Sequence, residues 1–316
     1  MRRPDRAGGL PGVKRIIRVF PRRTNATPDD ALAVVGRAPE LWDNADKVLI
    51  SVAFDADRQK AEELAEKWAV VAPVEIGGPA YHERTPAGEF EPGMFLKRGY
   101  TITSRGCPNR CHFCKVPERE GSLRLLDIKD GWNVLDNNLL ACPQEHQRKV
   151  FDMLQRQPHA PRFTGGIEAC RVTPWHAEWF AKLKPESLWM AYDCPADYEP
   201  LRHACKTLYD VGMIAPHRSK RVGAYVLMGE RGDTPADARK RLERVIALGI
   251  KTQAMLFDNG RECRADDMPE WWDLRRKFTD AREVGAMVAE TWAVPEDCAD
   301  DGGETNGQNA KHEGQA

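Results

Sequence analysis

Three cysteines within eight residues, Cys107, Cys111 and Cys114, are the side chains whose type and spacing point most directly to chemistry. Thiolates bind zinc and iron, and a complete structural site for either normally uses four ligands. Three thiolates on one loop therefore imply one of two things. Either a distant fourth ligand completes the set, for which His112 and Cys142 are the candidates, or one coordination position stays open for reaction. The chain holds nine cysteines. In a compartment that keeps thiols reduced, that number fits metal or redox chemistry better than a disulfide frame. The other six, Cys142, Cys170, Cys194, Cys205, Cys263 and Cys298, are scattered and show no close ligand pairing.

Elements that position such a loop are legible around it. From residue 99 onward, β-branched and apolar runs alternate with stretches of helical period. Strands are predicted at 100–104, 132–136, 162–167, 188–193, 222–228 and 251–257. Helices are predicted at 144–157, 175–183, 196–212, 235–248 and 269–290, with Gly212 and Gly249 as stop signals where a helix C-terminus favours glycine. Residues 115–131 carry no helical period where a first crossover helix is expected. Six parallel strands with crossover helices give a partial (β/α)6 barrel, and the cysteine loop then leaves its first strand at the C-terminal end, where parallel barrels place their chemistry.

Ahead of this unit, residues 14–98 read as a small three-layer α/β domain with a parallel sheet, followed by its linker. Its strands are predicted at 14–20, 47–54 and 70–76, its helices at 28–36 and 57–69, and Gly77-Gly78-Pro79 ends the last strand. Residues 80–98, rich in Gly, Pro and Glu, form the connection. Residues 1–13 are expected to be a flexible basic tail, and residues 295–316, almost without apolar side chains, a disordered one. The main unit thus spans 99–294.

Hydrophobic residues make up 41% and charged residues 30% of 316, enough to build a packed core. With a formal net charge of −1, coating nucleic acid by charge alone is excluded. No run is long and apolar enough for a membrane span, and the basic N-terminus lacks an apolar segment behind it, so a cytoplasmic protein is expected. The basic run His217-Arg218-Ser219-Lys220-Arg221 precedes the fifth strand and reads as a solvated loop on the rim opposite the cysteines. Trp271, Trp272 and Phe278 read as core residues of the last helix.

The segment Cys107-Pro108-Asn109-Arg110-Cys111-His112-Phe113-Cys114, with an aromatic residue before the last cysteine, resembles the radical S-adenosylmethionine superfamily. The resemblance spans roughly residues 99–257 and leans toward cobalamin-type and methylthiotransferase-like members. It implies a [4Fe-4S] cluster on the three cysteines, S-adenosylmethionine on the open iron, and a 5′-deoxyadenosyl radical that abstracts hydrogen from a substrate. Phe113 would accompany the cluster. Asp136-Asn137-Asn138 stands where Gly-Gly-Glu is commoner and where the methionyl amino group binds; an Asn-rich turn is the other reading. Glu168 and Arg171, in Gly165-Gly166-Ile167-Glu168-Ala169-Cys170-Arg171, match an acid and an arginine that face the cosubstrate. The arginine is one position late, and strand alternation puts it on the opposite face from Glu168, so a salt bridge to a neighbouring helix is its alternative. Asp193 either reaches a ribose or substrate or caps the next helix, and Gly229 resembles the glycine that lets adenine approach.

An external reductant such as flavodoxin or ferredoxin is implied as partner. The substrate class stays open, with a nucleoside in nucleic acid or a metabolite as options, and methylthiolation is disfavoured because no C-terminal RNA-binding barrel is expected. No histidine precedes His82, so cobalamin held through an axial histidine is not expected and the small domain reads as degenerate. Two other functions remain in view: an iron–sulfur sensing or electron-transfer protein, and a zinc-stabilised binding module.

Overall fold

Alternating apolar residues build two parallel sheets in the computed structural model, which describes residues 14–81, 90–214, 221–257 and 269–279. The first sheet is formed by β1 (Ile16–Phe20), β2 (Ala33–Val35), β3 (Lys47–Ser51), then α1 (Arg58–Trp68) and β4 (Val74–Gly77). Its strand order is β2-β1-β3-β4, every pair parallel. Ile17, Val19, Val48 and Ile50 alternate onto one face and are buried with Ala61, Leu64 and Trp68 of α1, which recur three and four residues apart.

Residues 28–36 correct an expectation. Instead of a helix they form a turn and β2. The Asp30 carboxylate accepts from Leu32 N–H (3.0 Å) and from the Arg18 guanidinium, and Ala33 N–H donates to the Asp30 carbonyl oxygen (3.0 Å). That turn aims Ala33–Val35 along β1, where two β-branched valines fit a pleated surface. Among its described residues the first sheet consequently has one α-helix, and the third layer expected from this segment is not formed.

The second unit runs β5 (Tyr100–Thr101), β6 (Ser104–Arg105), α2 (Val116–Arg119), β7 (Arg124–Leu125), β8 (Asn133–Val134), α3 (Gln144–Gln155), β9 (Arg162–Ile167), α4 (Pro174–Leu183), β10 (Ser187–Tyr192), α5 (Tyr198–Asp210), β11 (Val222–Met228), α6 (Pro235–Ala247), β12 (Lys251–Leu256) and α7 (Pro269–Thr279). Strands β5, β8, β9, β10, β11 and β12 lie in that order, all parallel. Residues 115–131 contain only the single turn of α2 before returning as β7, antiparallel to β6, so the first crossover has no full helix. Strand β5 is short because Thr103 N–H bonds the Asp136 carboxylate (2.6 Å) rather than a strand carbonyl. Helices α3 to α6 bury their apolar faces with the sheet in one core, in which Phe151, Phe163 and Phe180 meet edge to face.

Trp271 and Phe278 of α7 are buried, whereas Trp272 is half-buried under Arg275. Residues 1–13, 217–220 and 295–316 and the expected last helix beyond Thr279 lie outside the described residues. Among the described residues no helix is long and apolar enough to cross a membrane.

The start of α4 makes a prediction. His176 is buried, accepts at Nδ1 from Thr173 N–H (3.1 Å) and faces Gln147 Oε1 through Nε2 (2.8 Å). Burial holds its pKa down to about 4. The unfolded chain takes up that proton near an ordinary histidine value and the fold only near 4, so stability is lost as pH falls through this window. The loss through His176 is about 3 kcal/mol by pH 4. Urea unfolding at pH 7 and pH 4 should reveal a smaller acid loss in His176→Asn than in the unaltered chain, and equal losses would refute the assignment.

Candidate metal centre

Cys107, Cys111 and Cys114 occupy the loop between β6 and α2, beside the C-terminal edge of the six-stranded sheet. Cys107 and Cys114 are half-buried and Cys111 is exposed. Gly106 opens the loop at φ +82°, and a side chain there would collide with the Ser122 carbonyl oxygen, so the two arms of the hairpin can cross only at glycine. Two sulfurs accept N–H groups: Cys114 Sγ from Val116 N–H and Cys107 Sγ from Asn138 Nδ2, each at 3.5 Å.

The three residues after β8 have three separate tasks. Asp136, 1% exposed, spends both carboxylate oxygens on the chain, accepting from Thr103 N–H (2.6 Å), Thr103 Oγ1 (2.6 Å) and Ser104 Oγ (2.7 Å). Asn137 Oδ1 accepts from Gly106 N–H (3.0 Å) and so fixes the residue before the first cysteine. Asn138 reaches Cys107 and also donates to Glu168 Oε2 (2.6 Å), while its Oδ1 is buried without a donor. Leaving a carbonyl oxygen unpaired there is costly unless something supplies an N–H.

Glu168 sits at the centre of these contacts. It accepts from Asn109 Nδ2 (2.8 Å), Asn138 Nδ2, Arg171 Nε and the Cys170 thiol (3.3 Å). Burial pushes its pKa up, but the bonds from Asn138, Asn109 and Arg171 outweigh that and hold it down at about 2. Strand alternation placed Arg171 on the opposite face. The strand, however, ends at Ile167, and a 3-10 turn over Ala169–Arg171 curls the guanidinium back onto Glu168.

Asp193 and Phe113 line a cavity of about 470 Å³ beside the loop, together with His112, Glu230 and Arg241. Asp193 is not the helix cap. Cys194 fills that role, and Asp197 three residues on closes a capping box, its Oδ2 accepting from Cys194 N–H and Asp193 N–H at 2.9 Å each. The Asp193 carboxyl makes no hydrogen bond among the described residues, and burial, with Asp197 adding to it, raises its pKa to about 6. A raised carboxyl favours the fold where it is protonated, so its contribution is lost as pH rises from about 4 to about 6. Asp193→Asn is expected to raise the melting temperature at pH 7.5 and to leave it unchanged at pH 3.5; a variant less stable at pH 7.5 would count against this account.

Gly229 has φ +77° and donates to Asp233 Oδ2 (2.9 Å). On its Cβ side the chain itself closes in, with Leu256 2.9 Å and Trp271 3.8 Å from where a Cβ would stand. Any flat ligand would have to meet its other side.

Among the described residues no group of three or more His, Cys, Asp or Glu side chains is placed to hold a metal ion. Three thiols on one loop are donors of the kind that zinc and iron–sulfur clusters both use. His112 pairs with Glu230 (3.2 Å), and Cys142 is buried with its thiol on the Asn138 carbonyl oxygen (3.9 Å), so both candidate fourth ligands are engaged elsewhere. The Cys111 pKa is raised, first by burial and then by Cys114, Cys107, Asp193 and Asp197. A bound cation reverses that balance, since metal binding drives thiols to thiolates.

Asn109, Asp197 and Arg105 did not stand out in the sequence. Only Asn109 carried a signal, its place between two cysteines of the motif. No family model matches this chain, and no curated protein is significantly similar to it.

Proposed function

We propose that this protein is a radical S-adenosylmethionine enzyme, with a [4Fe-4S] cluster held by Cys107, Cys111 and Cys114 and its six-stranded sheet curved as a partial (β/α)6 barrel. The reading rests chiefly on one observation. Three thiols with no engaged fourth partner among the described residues lie on a loop at the C-terminal edge of a parallel sheet, and two of their sulfurs already receive N–H groups. Hydrogen bonds to sulfur are one means by which a protein sets a cluster's potential.

When bound, the cluster supplies the electron that cleaves S-adenosylmethionine and so provides a 5′-deoxyadenosyl radical. The chain's own residues bind and orient. Asn138 Oδ1, buried and unpaired, is suited to accept from the methionyl ammonium. Glu168, ionised at any working pH, holds Asn138, Asn109 and Arg171 in one rigid set beside Cys107 and leaves the outer N–H groups of Arg171 for a carboxylate. The cavity beside Phe113 and Asp193 would take the nucleoside half, with Asp193 for the ribose; Gly229 precedes the lining residue Glu230, and its free side would meet the base. Asp136 and Asn137 are positioning residues that act through the loop.

A cytoplasmic setting with flavodoxin or ferredoxin as electron donor follows from this chemistry, and the first sheet works without cobalamin. The test is anaerobic reconstitution with iron and sulfide, then dithionite and S-adenosylmethionine. Broad visible absorption and 5′-deoxyadenosine are expected. Iron without 5′-deoxyadenosine would indicate an electron-transfer or sensing protein, and a colourless zinc protein a binding module.

A further inference from the structure

A cavity of about 590 Å³ lies between the two sheets, outside the cysteine loop. Phe20 at the end of β1, Ser51 at the end of β3 and Gly78 just after β4 line one side of it, and Arg105, Arg119 and Arg124 of the hairpin line the other. Ligands of open parallel sheets collect outside the carboxyl ends of the strands. The volume suits a small organic molecule.

Its two walls differ in chemistry. Phe20, Phe54, Phe90 and Met94 make one wall apolar, whereas the hairpin wall is cationic. Most of the charges are already spent. Arg22 is bound to Asp57 (2.6 and 2.8 Å), Arg119 to Asp55, and Arg124 to Glu120 (3.5 Å).

Arg105 is the exception. Its side chain is 14% exposed, yet only Nη1 has a partner, the Leu135 carbonyl oxygen at 3.2 Å. Nε is buried with no partner. Nη2 makes no hydrogen bond among the described residues either, and unlike Nε it is not sealed from solvent. Nε and Nη2 form the side-on edge of a guanidinium, the two parallel donors that match a carboxylate or phosphate. The nearest acid, Glu120, stands 3.9 Å from Nε, beyond hydrogen-bond reach.

We propose that this cavity binds a small organic anion, its carboxylate or phosphate on Nη2, the open end of the Arg105 guanidinium, and its apolar body against Phe54 and Phe90. Arg105 precedes Cys107 by two residues, so the anion would rest against the arm that carries the first cysteine. The binding does not depend on the radical-enzyme reading.

The test uses the full-length protein without metal, titrated calorimetrically with 2-naphthoate, 2-naphthyl phosphate and the neutral 2-naphthalenemethanol. At least one anion should bind with 1:1 stoichiometry and a Kd of about 0.1–1 mM, the range for a fragment of this size. Which anion binds tighter separates a carboxylate ligand from a phosphate one. The neutral alcohol should bind at least about tenfold more weakly, and Arg105→Gln should weaken the anion by about tenfold or more. Equal binding of anion and alcohol, no saturable binding of either anion, or full affinity in a folded Arg105→Gln variant would each overturn the proposal. Should that variant not fold, the comparison of anion with alcohol on the unaltered chain decides alone. Because the protein carries no metal in this titration, a failure to form 5′-deoxyadenosine elsewhere leaves the result untouched.

Discussion

Replacing Cys107, Cys111 or Cys114 by alanine is expected to bring reconstituted iron down to the level of a cysteine-free control and to stop 5′-deoxyadenosine formation altogether. Each thiolate would hold a different iron, and with one iron already lacking a protein ligand the site tolerates no second loss. The remaining cysteines sharpen the test. Cys205 is buried in the core and burial pushes its thiol pKa up to about 12, so Cys205→Ala should keep its iron. Cys142→Ala discriminates more. Its thiol rests on the Asn138 carbonyl oxygen, and if the variant lost iron, Cys142 would be a fourth ligand and the open position would vanish. Iron quantitation with visible spectra of the five variants checks both points.

Asp136→Ala is expected to be the most damaging change outside the thiols. It strands the backbone N–H of Thr103 and the Ser104 hydroxyl, and leaves the Thr103 hydroxyl only His146 Nε2 (3.2 Å), in a site where Thr103 and Ser104 have no solvent exposure. Each buried donor left unpaired costs about 1–3 kcal/mol, so the loss is a large part of a typical domain's total stability. Asp136→Asn should be milder, since the hydroxyls can rotate to meet the amide, although the fixed Thr103 N–H tolerates only the oxygen. Urea unfolding measures the ranking. A fully stable Asp136→Ala protein would mean that the loop is held by something else.

The cysteine spacing and the long strands were legible in the sequence for the same reason: each depends on local pattern alone. β9 and β11 begin and end where their apolar runs do. The errors arose where a side chain displaced the backbone's usual partner. Pro28, Leu32 and Ala33 imitate a helix start, but the Asp30 carboxylate makes the turn first. The end of β5 was placed too late because Asp136, more than thirty residues away, takes the Thr103 N–H. Arg171 was assigned to the wrong face by a period that stops at Ile167. Asp197, Arg105 and Glu120 act only through contacts made on folding, and nothing in their local sequence marks them.

Asp55 of the first sheet's rim is held by Lys115 (2.9 Å), which directly follows the last cysteine, and by Arg119 at the end of α2. This clasp ties the rim of the first sheet to the segment after the cysteine loop. If the loop holds a cluster and the cavity an anion, the clasp would couple the two, and any such coupling runs equally in both directions. Because Asp55 is 34% and Lys115 50% exposed, added salt loosens the tie, and the coupling should fade as ionic strength climbs.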